Sequence, residues 1–342
     1  ASRPGGNSLA GTLGKVALIL LTSLVLLEIL LRLLVPNPNM QVRGMYLEDE
    51  WGIRLRPGWQ GRIHSAEFDT RVEIGKDGMR ALPLPSRAEG GTVLALGDSF
   101  TFGCWSEADS TWLARLQRAA GVRVLNAGIP NAGTDAEASW LRGPGASLRA
   151  DLLMVSFYTG NDFHDNLVGR DSFTLDSGFL VLKPAAEARW NAYDCLGRTP
   201  PPQTELPSDA RRPWYRGVLM RSHLYQYVRS RMYGGTRSAL RPSLPQAWFL
   251  RRYTPEMEQA LAQTTEYLDD LLMQAKARGI PMVLVVIPSS QEVYDEEWQA
   301  WLAAWDLEEE LFDRSRPRRF LLEWARQRNV AALDLLSAFR GR

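Results

Sequence analysis

The sequence predicts a three-layer α/β domain built on a parallel sheet and held to a membrane by one N-terminal transmembrane helix. Three observations lead there. From Thr92 onward, apolar runs of strand length alternate with longer amphipathic runs. The first of these apolar runs ends at once in a tight turn, Thr92 to Gly103 reading TVLALGDSFTFG. Near the other end of the chain, Val16 to Val35 (VALILLTSLVLLEILLRLLV) is about the length one helix needs to cross a bilayer.

Composition sets the outer bounds. A chain of 342 residues holds one large domain or two, and 45% apolar with 23% charged residues is the make-up of a packed protein. A net charge of +1 gives the whole chain no case for nucleic acid. Cys104 and Cys195 have no metal-ligand spacing, and no metal or cofactor motif is visible. One disulfide outside the cytoplasm and two free thiols both fit those cysteines.

The N-terminus divides into a short tail, residues 1–15, and the apolar span, residues 16–35, which Pro36 closes. Glu28 and Arg32 interrupt the span, yet four residues apart they share one helix face and can pair. The length, the charge pair and the lack of a small-residue cleavage site argue against a signal peptide. Lys15, Arg3 and the amino terminus favour a cytoplasmic tail, which leaves the bulk of the chain on the periplasmic or exterior side.

Residues 36–91 read as a β-rich collar and linker, with alternating RVEIGKDGMR turning at Asp77-Gly78. The main domain, 92–342, has expected strands at Thr92–Leu96, Val122–Asn126, Leu152–Phe157, Met282–Ile287 and Val330–Asp334. Helices are expected near Asp109–Ala120, Asp135–Leu148, Pro255–Ala277 and Pro317–Arg328. Such alternation implies right-handed crossovers and helices on both faces of the sheet. Between about 166 and 254 the alternation stops, in an insertion with Pro-rich loops and one helix near Trp214–Met232.

Gly97-Asp98-Ser99 places Ser99 at the carboxyl edge of the sheet, where open α/β folds put their chemistry. Two more strand-then-turn segments follow, VRVLNAGIPNAGT from Val122 and LLMVSFYTGND from Leu152. GDS, a Gly/Asn loop and GND, in this order and spacing, resemble the SGNH (GDSL) hydrolase family. The collar extends the likeness to the family's bacterial membrane-anchored branch, through Gly52-x-x-x-x-Pro57-Gly58 and Asp77-Gly78-x-Arg80. The resemblance implies a flavodoxin-like sheet and a bacterial inner-membrane protein with a periplasmic domain. It implies Ser99 as nucleophile, with its own N–H, the loop carrying Gly128 and Asn131, and the Asn161 side chain as oxyanion donors.

Two departures stand out. The position that usually holds the second block's donor glycine carries Asn131, flanked by Gly128 and Gly133. The family's Asp-x-x-His block has no counterpart in NVAALDLLSAFRGR, where Asp334 comes too early and no His follows before Arg342. Of the histidines, His164 lies nearest the third block and is the one candidate for a substitute base. Cys104, five residues after Ser99, is expected as a small buried side chain.

Charge is segregated locally. Residues 210–255 carry ten arginines and no acid, interleaved with aromatics, while Gln291 to Asp313 carries nine acids and no Lys or Arg. Mutual neutralisation is one reading. The other is a basic aromatic face lying on the lipid bilayer or on another membrane protein. Two functions follow. The first is a catalytically inactive SGNH-like subunit of a membrane protein complex, such as a photosynthetic or respiratory one. The alternative is a serine esterase or O-acyltransferase using Ser99, its His supplied beyond Arg342.

Overall fold

The computed structural model describes residues 9–34, 42–64, 68–84, 90–186, 215, 219, 222–233 and 247–341. Cys195, the Pro-rich loop at 199–202 and Trp214 lie outside the described residues. The chain forms two compact units: Ala1–Met40, His64–Asp69 and Arg212–Arg237 make the smaller, and the remainder makes the larger.

In the smaller unit, α1 runs from Leu9 to Leu34, and its stretch Gly11–Leu34 is long and apolar enough to cross a membrane. The Glu28–Arg32 pair forms as the spacing predicts, with Arg32 Nε donating to Glu28 Oε1 at 2.7 Å.

After α1 come two antiparallel pairs. They are β1 (Tyr46–Asp49) with β2 (Gly52–Leu55), and β3 (Gln60–His64) with β4 (Asp69–Glu73). The central sheet follows: β5 (Thr92–Leu96), β6 (Arg123–Asn126) and β7 (Leu152–Tyr158), then two strands from the end of the chain. Between the first three lie α2 (Ser99–Phe102), α3 (Trp112–Ala120) and α4 (Thr134–Arg142), with α5 (Asp162–Val168) after β7. A hairpin, β8 (Phe173–Asp176) and β9 (Phe179–Leu182), occupies the start of the expected insertion. Helix α6 (His223–Tyr233) belongs with α1 in the smaller unit.

The second half brings α7 (Pro255–Ala277), β10 (Met282–Ile287), α8 (Ser290–Val293), α9 (Asp295–Trp305), α10 (Arg316–Gln327), β11 (Ala331–Asp334) and α11 (Leu336–Arg340). The long α7 starts where Pro255 at the first helical position and the Thr254 hydroxyl, accepting from the Met257 N–H at 3.3 Å, make a strong N-terminus. Its buried residues Met257, Ala260, Thr264, Leu268 and Leu271 recur at three and four, so one stripe faces inward, against α4 and α5.

The sheet order is β6-β5-β7-β10-β11, all parallel. Renumbered by appearance this is 2-1-3-4-5, the flavodoxin-like doubly wound order. Val93, Ala95, Met154, Val285 and Ile287 pack on one face, joined by Leu113 of α3. Their alternates Leu94, Leu96, Leu153, Val155, Leu284 and Val286 are buried on the other. Both faces are covered, which explains why these strands read as unbroken apolar runs. Each fully buried aliphatic side chain contributes about 1.5–3 kcal/mol. The strand order reverses at β5 and β7, so the crevice at their carboxyl ends is the natural place for a site.

Candidate active site at the carboxyl edge of the sheet

Gly97 ends β5 because nothing larger fits. A Cβ there would lie 2.1 Å from Thr101 Oγ1 and 3.0 Å from the Ser156 carbonyl, at a φ of +150°. Asp98 then caps α2, accepting from the Phe100 N–H at 2.8 Å, and Ser99 stands as the helix's first residue, half-buried. The Ser99 hydroxyl donates to Asp98 Oδ2 at 3.3 Å.

The collar reaches into this turn. Arg80 is 2% exposed, and its guanidinium donates to the carbonyls of Phe102 at 2.6 Å, Gly103, and Ser106 at 2.6 Å. Its backbone N–H donates to the Asn126 carbonyl at 3.0 Å, tying the ends of β5 and β6 together. The Asp77-Gly78-x-Arg80 phrase is built for this. Asp77 Oδ1 accepts from the Met79 N–H at 3.1 Å, and Gly78 turns the chain at a φ of +77°. The sequence displays the phrase but not where Arg80 would reach.

The second block is a close-packed support for α2. Asn126 donates from Nδ2 to the Phe102 carbonyl at 3.3 Å and accepts the Gly128 N–H at Oδ1, 3.1 Å away. A Cβ on Gly128 would fall 2.4 Å from the Phe102 backbone nitrogen. Asn131 takes the left-handed conformation at a φ of +64° and is exposed. The Tyr46 hydroxyl donates to the Pro130 carbonyl at 3.3 Å.

In the third block Asn161 precedes α5 and donates from Nδ2 to Asp165 Oδ2 at 2.7 Å. Asp162 closes the turn by accepting the Tyr158 N–H at 2.7 Å. His164, in α5, has no hydrogen-bond partner for Nδ1 among the described residues, and burial holds its pKa down near 4. Its imidazole is therefore neutral at pH 7. Among the described residues the Ser99 hydroxyl is hydrogen-bonded to Asp98, and no bond links it to His164.

The electrostatics beneath the serine are one-sided. Burial, then mutual repulsion, pushes Glu137 and Asp162 well above the ordinary carboxylate range. Burial raises Asp98 despite its hydrogen bonds, and burial and the neighbouring Asp98 raise Asp165 to about 8. The acids do not converge on a cation: among the described residues no group of three or more His, Cys, Asp or Glu side chains could hold a metal ion. Cys104 carries a free, buried thiol, which burial pushes up to about 12 against the pull of Arg80, so it stays protonated. Asp334, at the end of β11, binds Arg318 at 2.6 Å and caps α11 through the Leu336 N–H at 3.0 Å.

Ser99, Asn131 and Asn161 thus follow the carboxyl ends of three adjacent parallel strands. Two solved structures similar to the chain are those of AlinE4, an SGNH-hydrolase family esterase, and of a catalytic mutant of Axe2, an acetylxylan esterase from Geobacillus stearothermophilus. The first is 13% identical with a TM-score of 0.35, covering 75% of this chain and 82% of that one. The second is 12% identical with a TM-score of 0.35, covering 74% and 80%. No protein-family model and no curated protein matches the chain.

Proposed function

We propose that the chain is a membrane-anchored SGNH-like protein, its main domain in the periplasm, that does not turn over esters and serves as an accessory subunit of a membrane protein complex. One observation carries the reading: the Ser99 hydroxyl donates to Asp98 and the Asn161 amide donates to Asp165, so both groups point at carboxyls. An acyl-transfer site needs a base on the serine and donors left free for the oxyanion. Here the hydroxyl and the amide are each engaged by a carboxyl group, and burial favours the neutral form of both Asp98 and Asp165, which is a poor proton acceptor. Among the described residues no imidazole is bonded to the Ser99 hydroxyl, and a serine unassisted by one loses most of its rate advantage. The apolar α1 and the basic aromatic stretch 210–255 support attachment to a bilayer and to a larger membrane assembly.

The second reading is a serine esterase or O-acyltransferase. Ser99 favours it by standing half-buried at the first position of a helix, beside the point where strand order reverses. A fluorophosphonate probe applied to native membranes separates the two. The expected result is no adduct on the Ser99 peptide while an added serine hydrolase reacts. An adduct at Ser99 that disappears on denaturation would install the esterase reading instead.

A further inference from the structure

Glu28 is more than the partner of Arg32. Its Oε1 accepts from Arg32 Nε at 2.7 Å and from the His223 N–H at 2.8 Å, and its Oε2 from the Ser222 hydroxyl and the Leu224 N–H, both at 2.9 Å. Ser222 in turn accepts the Tyr225 N–H at 3.1 Å. The N–H groups of the first three residues of α6, which have no partner inside the helix, are therefore all satisfied, two of them by a carboxylate of α1. The positive end of the α6 dipole also faces that negative charge. Between Gly11 and Leu34 every residue of α1 is exposed except Glu28 and Leu31, so cover appears where α6 docks.

The depth of this clasp fixes where α6 lies. Glu28 is six residues from the end of α1 at Leu34, about 9 Å along the axis. Helices that lie in a membrane surface sit about 5–10 Å into the boundary between headgroups and acyl chains. A helix bonded by its N-terminus to Glu28 cannot leave that layer while the bond holds. Its sequence, HLYQYVRSRMY, has two arginines, three tyrosines and no acid, and Val228 is exposed. Tyrosine suits the interfacial layer, and arginine suits anionic headgroups.

We propose that Glu28 is the docking residue for α6, and that the clasp holds α6 in the headgroup layer against anionic phospholipids. The proposal rests on α1 crossing the bilayer and on no role for Ser99. It also gives the intramembrane carboxylate a reason to be there, since an acid inside a membrane span is costly unless partnered.

The test uses the full chain with Cys195→Ser and a nitroxide on Val228→Cys, reconstituted in vesicles of phosphatidylcholine with about a quarter phosphatidylglycerol (a composition typical of anionic membranes). The nitroxide should collide with dissolved oxygen in preference to a water-soluble nickel chelate. Glu28→Leu should reverse that preference while the chain still resists alkaline carbonate, and Glu28→Gln, which keeps one acceptor oxygen, should fall between. A nickel-accessible nitroxide in the parent, or an unchanged one in Glu28→Leu, would overturn the docking. Equal burial in pure phosphatidylcholine would overturn the anionic-lipid part. Release of the parent chain by carbonate would remove the anchor itself, and the proposal with it.

Discussion

The carboxyl edge of the sheet has two halves that treat the same chemical group differently. At the ends of β5 and β7, Asp98, Glu137, Asp162 and Asp165 are enclosed with one another, and Glu137 Oε2 and Asp162 Oδ1 have no partner among the described residues. At the ends of β10 and β11, Glu292 is as deeply buried, at 2% exposed. There, however, it accepts from Thr159 and from the Ser289 N–H at 3.1 Å, with Arg318 alongside at 3.8 Å. Arg318 also binds Asp334, and Arg340 donates to the Glu292 carbonyl at 2.6 Å. Burial raises Glu292 too, but its hydrogen bonds and Arg318 pull it back. The first half sets acid beside acid, while the second sets a cation, Arg318, beside its acid, although Glu292 Oε1 also lacks a hydrogen bond among the described residues.

The largest expected effect tests that contrast directly. The folded-state pKa values of Asp98, Glu137, Asp162 and Asp165 are all raised, so the folded chain holds protons that the unfolded chain has released. Their contribution to stability is then fullest below about pH 4, the unfolded value for a carboxyl. It falls as pH rises, and for Asp165 the fall ends near its folded pKa of about 8. Each such group adds a slope approaching 1.4 kcal/mol per pH unit within its window (about one proton's linkage). Denaturant midpoints of the solubilised chain measured from pH 5 to 8.5 should decline, and Asp165→Asn should flatten part of the decline. A profile that rises over this range would break the comparison.

Next in size is the paired half. Arg318→Met leaves Glu292 and Asp334 without their cation. Breaking a buried pair from one side costs about 3–5 kcal/mol; with the Arg318 side chain 20% and that of Asp334 28% exposed, about 2–3 kcal/mol is expected. Urea unfolding at pH 7 measures it. A loss under about 0.5 kcal/mol, the size of an ordinary surface change, would mean the arginine neutralises nothing.

The sequence makes the frame of this edge legible and hides its wiring. Thr92–Leu96 and Met282–Ile287 are strands to the residue, since apolar runs bounded by turn chemistry leave little choice. The helix Pro255–Ala277 is equally plain, because a threonine cap and a proline mark its start. The i, i+4 pairing of Glu28 with Arg32 is a local rule and holds. Its bonds to residues 222–224 span more than 190 positions and leave no periodic trace. Arg80 is similar: the turn that aims it is visible, while the carbonyls it ties lie 22 to 26 residues on. Helix α9 escapes the sequence reading because Asp295, Glu296 and Glu297 in its first turn read as part of an acidic run, not as an N-terminal signal. The enclosed acids escape for a related reason, since Asp98 and Asp162 read as turn residues.

The smallest effect sharpens the role of the second block on the unpaired half. If Gly128 matters because the chain approaches α2 closely, a single added methyl should be felt at Ser99. In Gly128→Ala the new Cβ would meet the Phe102 nitrogen at 2.4 Å and its Cα at 2.9 Å, backbone atoms that yield only by moving α2. Overpacking of this kind costs about 1–3 kcal/mol, and the shift would loosen the Asn126 bond to Gly128 and the Ser99 bond to Asp98. The expected outcome is a stability loss of about 1–2 kcal/mol, together with a change in the environment of Trp112, whose indole N–H donates to the Phe100 carbonyl at 3.0 Å. Gly133→Ala is the useful counterpart, because its Cβ would meet Asn166 Oδ1 at 2.5 Å, the end of a side chain, and the Asn166 nitrogen at 3.0 Å, on α5 and away from α2. A Gly128 variant that unfolds like the parent, or a Gly133 variant that disturbs α2 equally, would show that the glycine is not what holds the serine helix in place.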